Sequence, residues 1–207
     1  MEITDIKPQV RQPGRISVFI DGAFAFGMTE AERARYGLAA GETITRELYD
    51  KIVGELILVK ANAAAMRYLS YRDRSEGETR LYLSEKGFGE DVINKLIRFL
   101  RKYKYLDDAA FASRYAADSF NLKGFGNRKI AFELARKGVR RELIAPAIEE
   151  ALESVDLQEV ITKILRRRGF GAEDKEDRDE RYKAVSYLTG RGFLREDIRS
   201  ALEEYDG

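Results

Sequence analysis

The run Ile16-Ser17-Val18-Phe19-Ile20 is β-branched and aromatic, the composition of a strand. Asp21-Gly22 follows it, the two-residue signal of a type I′ hairpin, and residues 23–28 form the returning strand. A two-residue loop sets Phe19 opposite Phe24 and Ile20 opposite Ala23. On that register one face carries Phe19, Phe24 and Phe26 and the other Ile16, Val18 and Ile20, so the hairpin needs cover on two sides. A third strand within residues 3–10 is a plausible neighbour, which Pro8 confines to an edge or a bulge.

From Thr29 the period changes from two to that of a helix. Thr29-x-x-Glu32 is a capping box, in which each side chain satisfies an orphan backbone amide. Gly37 and Gly41 interrupt the chain, and a longer helix is expected from about Thr45 to Lys60 or beyond, leading from the sheet into everything downstream.

After residue 60 the pattern repeats. K-G-F-G-E-D-V-I at residues 86–93 returns as K-G-V-R-R-E-L-I at 137–144 and R-G-F-L-R-E-D-I at 191–198. Gly87, Gly138 and Gly192 are 51 and 54 residues apart. The same offsets align Leu83, Leu134 and Leu188 upstream, and Ile93, Ile144 and Ile198 downstream, followed by Leu96, Ala147 and Ala201, then Ile97, Ile148 and Leu202. The physical reading is a helix closed by a C′ glycine, with a basic residue in its last turn where the helix dipole favours it. An apolar residue then packs back, and a new amphipathic helix starts. A further helix precedes each pair, at residues 61–72, 108–120 and 157–168. The expected fold is mainly α, a tandem array of three three-helix repeats in an elongated curved body. A small N-terminal three-stranded sheet with a short helix precedes the array. Boundaries fall at 1–55, 56–106, 107–153 and 154–207.

Composition narrows the chemistry. The 207 residues hold no Cys, no His and no Trp. Disulfides, thiolate nucleophiles, zinc–thiolate sites and the usual general base near neutral pH are thereby excluded. No apolar run is long enough to span a membrane and the first residues lack a secretory core, so a cytoplasmic protein is expected. The net charge is +1, but it is unevenly spread: −1 over residues 1–60, +5 over 61–151 and −3 over 152–207. A basic middle suits an anionic partner.

Several motifs have ordinary structural readings. Ser75-x-x-Glu78 is a capping box. Asp107-Asp108 before Ala109-Ala110-Phe111 is read as a helix cap in preference to a metal site. Pro146 marks a first-turn or kinked helical position. Gly124-Phe125-Gly126 lacks the third glycine of a dinucleotide loop and the Gly-Lys-Ser/Thr of a P-loop, and is read as a turn before a helix, as is Gly169-Phe170-Gly171. Residues 173–181 hold six acidic and three basic side chains and are expected to form a mobile loop. No nucleophile–base pair or ligand cluster is present, so neither catalysis, a cofactor nor a metal is expected.

Basic clusters remain. Lys95, Arg98 and Lys102 share one helix face beside Arg101 and Lys104. Arg128, Lys129, Arg136, Lys137, Arg140 and Arg141 surround the middle repeat, and Lys163, Arg166, Arg167 and Arg168 end a helix of the last. A solvated, ion-paired face is the common reading of such runs; an anionic groove on a protein filament or a nucleic acid is the functional one.

The sequence resembles the RecX family of recombinase regulators over nearly its whole length. The resemblance rests on Tyr71-Arg72-Asp73-Arg74-Ser75 with Glu78 and Leu81, on Lys86-Gly87-Phe88, and on Tyr105-Leu106-Asp107-Asp108 with Phe111-Ala112 and Tyr115. Lys123-Gly124, Arg128, Ile130, Leu134 and Lys137-Gly138-Val139 extend it, as does the hairpin I-S-V-F-I-D-G-A-F-A-F-G. Arg80-Leu81 departs from the family's Leu-Arg order. The resemblance implies an inhibitor or modulator of RecA that lodges in the groove of the RecA filament on single-stranded DNA. There it lowers ATP hydrolysis, strand exchange and co-protease activity. A monomer is expected. The residues expected to carry partner binding are Arg72, Arg74, Arg98, Arg101, Lys102, Arg128, Lys129, Arg136 and Lys137. A direct DNA-binding protein, using the units as helix-turn-helix modules with weak phosphate contacts, is the alternative.

Overall fold

The computed structural model describes residues 1–10, 13–170 and 178–206. It forms two compact units, Met1–Leu106 and Asp107–Gly207. Of the acidic stretch expected as a loop, residues 173–177 lie outside the described residues, and the chain is helical from Arg178.

In the first unit, β1 (Ile3–Pro8), β2 (Arg15–Ile20) and β3 (Ala23–Thr29) make an antiparallel meander in that order. Asp21 and Gly22 have φ of 49° and 81°, the left-handed pair that a type I′ turn requires. Phe19 pairs with Phe24 and Ile20 with Ala23, and Pro8 ends the edge strand β1. The register then slips between Val18 and Phe19, so that Phe26 stands opposite Val18 and Met28 opposite Ile16. One extra residue in β3 reverses the side parity of everything after it. Phe26 therefore joins Ile16, Val18 and Ile20 in the core, fully buried, and only Phe19 and Phe24 remain on the other face, edge to face at 5.8 Å. This corrects the expectation of three phenylalanines on one face. Burying a phenylalanine is worth roughly 1.5–3 kcal/mol, which favours the slipped register.

Helix α1 (Glu30–Tyr36) starts with the full Thr29–Glu32 capping box and ends at Gly37 in the left-handed region. Helix α2 (Arg46–Ile52) is capped by the Thr45 side chain. It continues through a π-helical turn, Val53–Ile57, into α3 (Leu58–Leu69) without interruption. Val53, Ile57, Ala61 and Ala65 are all buried. A strict four-residue spacing drifts by about 40° per step around an ideal α-helix; the wider π turn takes up part of that drift and keeps the stripe facing inward. The sheet face and the helices α3, α4 (Glu76–Glu85) and α5 (Glu90–Lys102) share one core.

The second unit holds α6 (Asp108–Asn121), α7 (Asn127–Arg136) and α8 (Arg141–Leu152), then α9 (Leu157–Arg168), α10 (Arg178–Gly190) and α11 (Arg195–Asp206). Pro146 lies inside α8, exposed on its outer face. The three-helix motif recurs in detail. Gly87, Gly138 and Gly192 have φ of 80°, 77° and 88°. The amides of Phe88, Val139 and Phe193 donate to the carbonyls of Leu83, Leu134 and Leu188 at 3.1, 3.1 and 3.2 Å. All three leucines are fully buried, and the aligned Ile93, Ile144 and Ile198 are buried with them.

Candidate partner-binding surface

In the second unit, cations gather around two rings. The Lys123 ammonium lies 4.0 Å from the centre of Tyr115, with Lys137 5.4 Å from the same ring. Lys129 and Arg191 flank Phe125 at 4.5 and 5.1 Å. Each such contact holds a positive charge in place without neutralising it. Of the residues expected from sequence, Lys129 and Lys137 belong to this cluster. Arg128 and Arg136 lie instead on the exposed face of α7 with Phe132 between them, and Arg136 pairs with Glu133 at 2.8 Å. Sequence reading missed Lys123, Arg191, Tyr115 and Phe125 as a group, because Arg191 arrives from the next three-helix unit.

That arrival explains the glycine-rich turn. The Gly126 and Arg128 amides, orphans at the start of α7, donate to the carbonyls of Arg191 and Gly192 at 2.9 and 3.0 Å. The Arg191 guanidinium in turn donates to the Gly124 carbonyl at 2.9 Å and to that of Lys123. The amide donors that a phosphate would need are thus consumed by the neighbouring helical turn, and the reading of Gly124-Phe125-Gly126 as a structural turn holds. Beside it, a cleft of about 730 Å³ is lined by Lys123, Lys163, Arg167, Arg168, Tyr187 and Arg191, among others.

In the first unit, α5 buries Val92, Ile93, Leu96, Ile97 and Leu100. Its outer side presents Lys95, Arg98, Arg101 and Lys102, all exposed. Arg98 donates to the Asn94 carbonyl at 3.3 Å and Arg101 approaches Glu76 at 3.7 Å. With Arg80 and Asp91 they border a shallow groove of about 450 Å³. The other two expected residues sit at the turn between α3 and α4. Arg72 is exposed and bound to Glu78 at 2.9 Å. Arg74 is half-buried, its guanidinium 4.1 Å from the centre of Tyr68, which stacks on Tyr82 at 4.0 Å.

Carboxylates serve structure. Asp107 caps α6, accepting from the Ala110 amide at 3.2 Å, which bears out the cap reading. Burial pushes the Glu32 carboxyl up, but hydrogen bonds from Lys60 and the Thr29 amide outweigh this and hold it below its usual value. Burial also pushes the Asp197 carboxyl up. Among the described residues no group of three or more His, Cys, Asp or Glu side chains is placed to hold a metal ion, and no helix is long and apolar enough to cross a membrane.

Family models match three stretches: the regulatory protein RecX N-terminal domain over residues 1–45, the RecX first three-helix domain over 61–100, and the RecX second three-helix domain over 107–152. The regulatory protein RecX of Listeria monocytogenes serotype 4a is 30% identical over 207 residues, covering 99% of this chain and 76% of that protein. The chain belongs to the RecX family. Its counterpart in Clostridium acetobutylicum, also named a regulatory protein, is 28% identical over 98% of this chain and 95% of the relative. A crystal structure of a regulatory protein RecX shares the fold, with a TM-score of 0.66, 24% identity and 98% of both chains covered. The RecX structure from Lactobacillus salivarius gives a TM-score of 0.64 at 23% identity over 72% of this chain and 96% of that one. Arg80 lies half-buried, bonding Glu76 at 2.8 Å and the Asn94 side chain at 2.8 Å, and Leu81 is left largely exposed.

Proposed function

We propose that this chain is a non-catalytic regulator that binds the RecA filament on single-stranded DNA and lowers its ATP hydrolysis, strand exchange and co-protease activity. Membership of a family of regulatory proteins supports the regulatory role. The observation that carries the reading is the recurrence of one three-helix module with exposed cations at Arg98 and Lys102 in its first copy and Arg128 and Arg136 in its second. A repeated module suits a partner that is itself repetitive, since weak contacts on one chain add through effective concentration. The chain then works as an N-terminal part, 1–55, and three modules, 56–106, 107–153 and 154–207, acting as a cytoplasmic monomer.

Arg72, Arg98, Arg101, Lys102, Arg128 and Arg136 supply exposed donors for carboxylates or phosphates in the groove. Lys129, Lys137 and Arg74 contribute charge from positions fixed against aromatic rings. The test is inhibition of RecA's DNA-dependent ATPase by two charge-reversal pairs, Arg98→Glu with Lys102→Glu and Arg128→Glu with Lys129→Glu. Each pair is expected to raise the concentration needed for half-inhibition by about tenfold or more. Unchanged inhibition by both pairs refutes the assignment.

A further inference from the structure

The last two turns of α5 carry a feature that the basic-face description does not use. Residues 95–106 hold five basic side chains and no acidic one. Between those cations stand three large rings in water: Phe99 is 43% exposed, Tyr103 55% and Tyr105 51%. The core-facing side of α5 is fully occupied by its aliphatic residues, so Phe99 and Tyr103, one helical turn apart, stand at the flank of that stripe with ring centres 4.6 Å apart, beside the cation-bearing outer side. The chain then reverses at Lys104, whose φ is 59°, a left-handed conformation that a residue with a Cβ adopts infrequently. That reversal lets the amides of Tyr105 and Leu106 both reach the Leu100 carbonyl, at 2.8 and 3.3 Å. Leu106 turns into the core and Tyr105 stays outside. The Lys102 ammonium lies 5.5 Å from the Tyr103 ring. Arg101 faces the Glu76 carboxylate at 3.7 Å.

Cations alone suit any polyanion. Cations alternating with exposed ring faces suit one whose own flat rings lie bare between its charges. A duplex hides its bases in the stack, and an acidic protein surface offers carboxylates without rings. Single-stranded nucleic acid offers both phosphates and unstacked bases. We propose that residues 98–105 form a stacking platform for single-stranded nucleic acid, on which Phe99, Tyr103 and Tyr105 take base faces and Arg98 and Lys102 take phosphates. This goes beyond the RecA reading, since the contact is with the nucleic acid itself and needs no RecA.

The test uses the full chain without RecA, at low salt, with a fluorescently labelled homothymidine strand and an abasic strand of equal length. The two carry the same phosphates and differ only in bases. The abasic strand is expected to bind about five- to fiftyfold more weakly, the loss of one to two stacked bases. The triple variant Phe99→Ala, Tyr103→Ala, Tyr105→Ala, checked for unchanged helicity by circular dichroism, is expected to lose that discrimination. The pair Tyr103→Phe, Tyr105→Phe is expected to keep it. Equal affinity for the two strands overturns the proposal, and so does equal or tighter binding of a duplex. Retained discrimination in the alanine variant, or no detectable binding by the wild type, overturns it too. In those cases the rings serve a protein partner or none, and the RecA reading is decided separately by the charge-reversal ATPase assay.

Discussion

A methyl group added at Gly126 tests how the second and third three-helix units hold together. Gly126 has φ −89° and ψ 171°, extended backbone that alanine adopts freely, so the effect is purely steric. A Cβ there would lie 2.2 Å from the Phe193 nitrogen and 2.4 Å from the Gly192 carbonyl carbon and the Phe193 Cα. All three are backbone atoms with no rotamer to yield. The turns must separate, at about 1–3 kcal/mol for overpacking. Separation also weakens the two bonds from the Gly126 and Arg128 amides to the Arg191 and Gly192 carbonyls, each worth about 0.5–1.5 kcal/mol net. Gly126→Ala is therefore expected to destabilise the second unit by about 2–6 kcal/mol, a large part of a domain's typical 5–15 kcal/mol. Gly126→Ser sharpens the test. It restores the N-cap side chain that Ser75 supplies at the aligned position of the first unit, yet it carries the same clash. Gly190→Ala is the control: its Cβ meets nothing within 4 Å, and it should be neutral or stabilising by up to about 1 kcal/mol. Urea unfolding gives the free energies, and hydrogen exchange at the Gly126 and Arg128 amides reports the opening locally. A Gly126→Ala protein within about 0.5 kcal/mol of wild type, with both amides still protected, refutes the interlock.

Ser75→Ala removes the hydroxyl that accepts from the Glu78 amide at 3.0 Å in a fully buried cap; a loss of about 1–2 kcal/mol in urea unfolding is expected, with most of it recovered by Ser75→Thr. Because the Glu32 carboxyl sits below its ordinary value of 4.5 in the folded chain, its contribution to stability is complete above that value and disappears as pH falls through the lower, folded value. Urea midpoints measured from about pH 6 down to about pH 3 should therefore drop less for Glu32→Gln than for wild type over the acid end; parallel curves contradict the Lys60–Glu32 pairing.

The family resemblance and the fold class were both legible in the sequence because their signals are short-range. The left-handed glycines at 87, 138 and 192, the capping boxes at Thr29 and Ser75 and the Asp21-Gly22 turn each act within a few residues, through φ preference or an orphan amide. Sequence reading could also group the cations of α5, whose spacing along one helix fixes their face. The rings among them were equally visible as an alternation of aromatic and basic residues from Arg98 to Tyr105; their exposure was not, since it follows from the core contacts that α5 makes on its other side.

The chain's local chemistry by itself settled the turns, the caps and the helical period of three matching units. Only the tertiary structure decided that Phe26 belongs with Val18, that the four-residue stripe of the long helix needs a π turn, and that Arg191 closes over the Lys123 and Gly124 carbonyls 68 and 67 residues before it. The physical reason is the same in each case. A side parity, a helical phase and a side chain's approach to a distant backbone are set by what the partner surface can bury or bond, and the partner is remote along the chain.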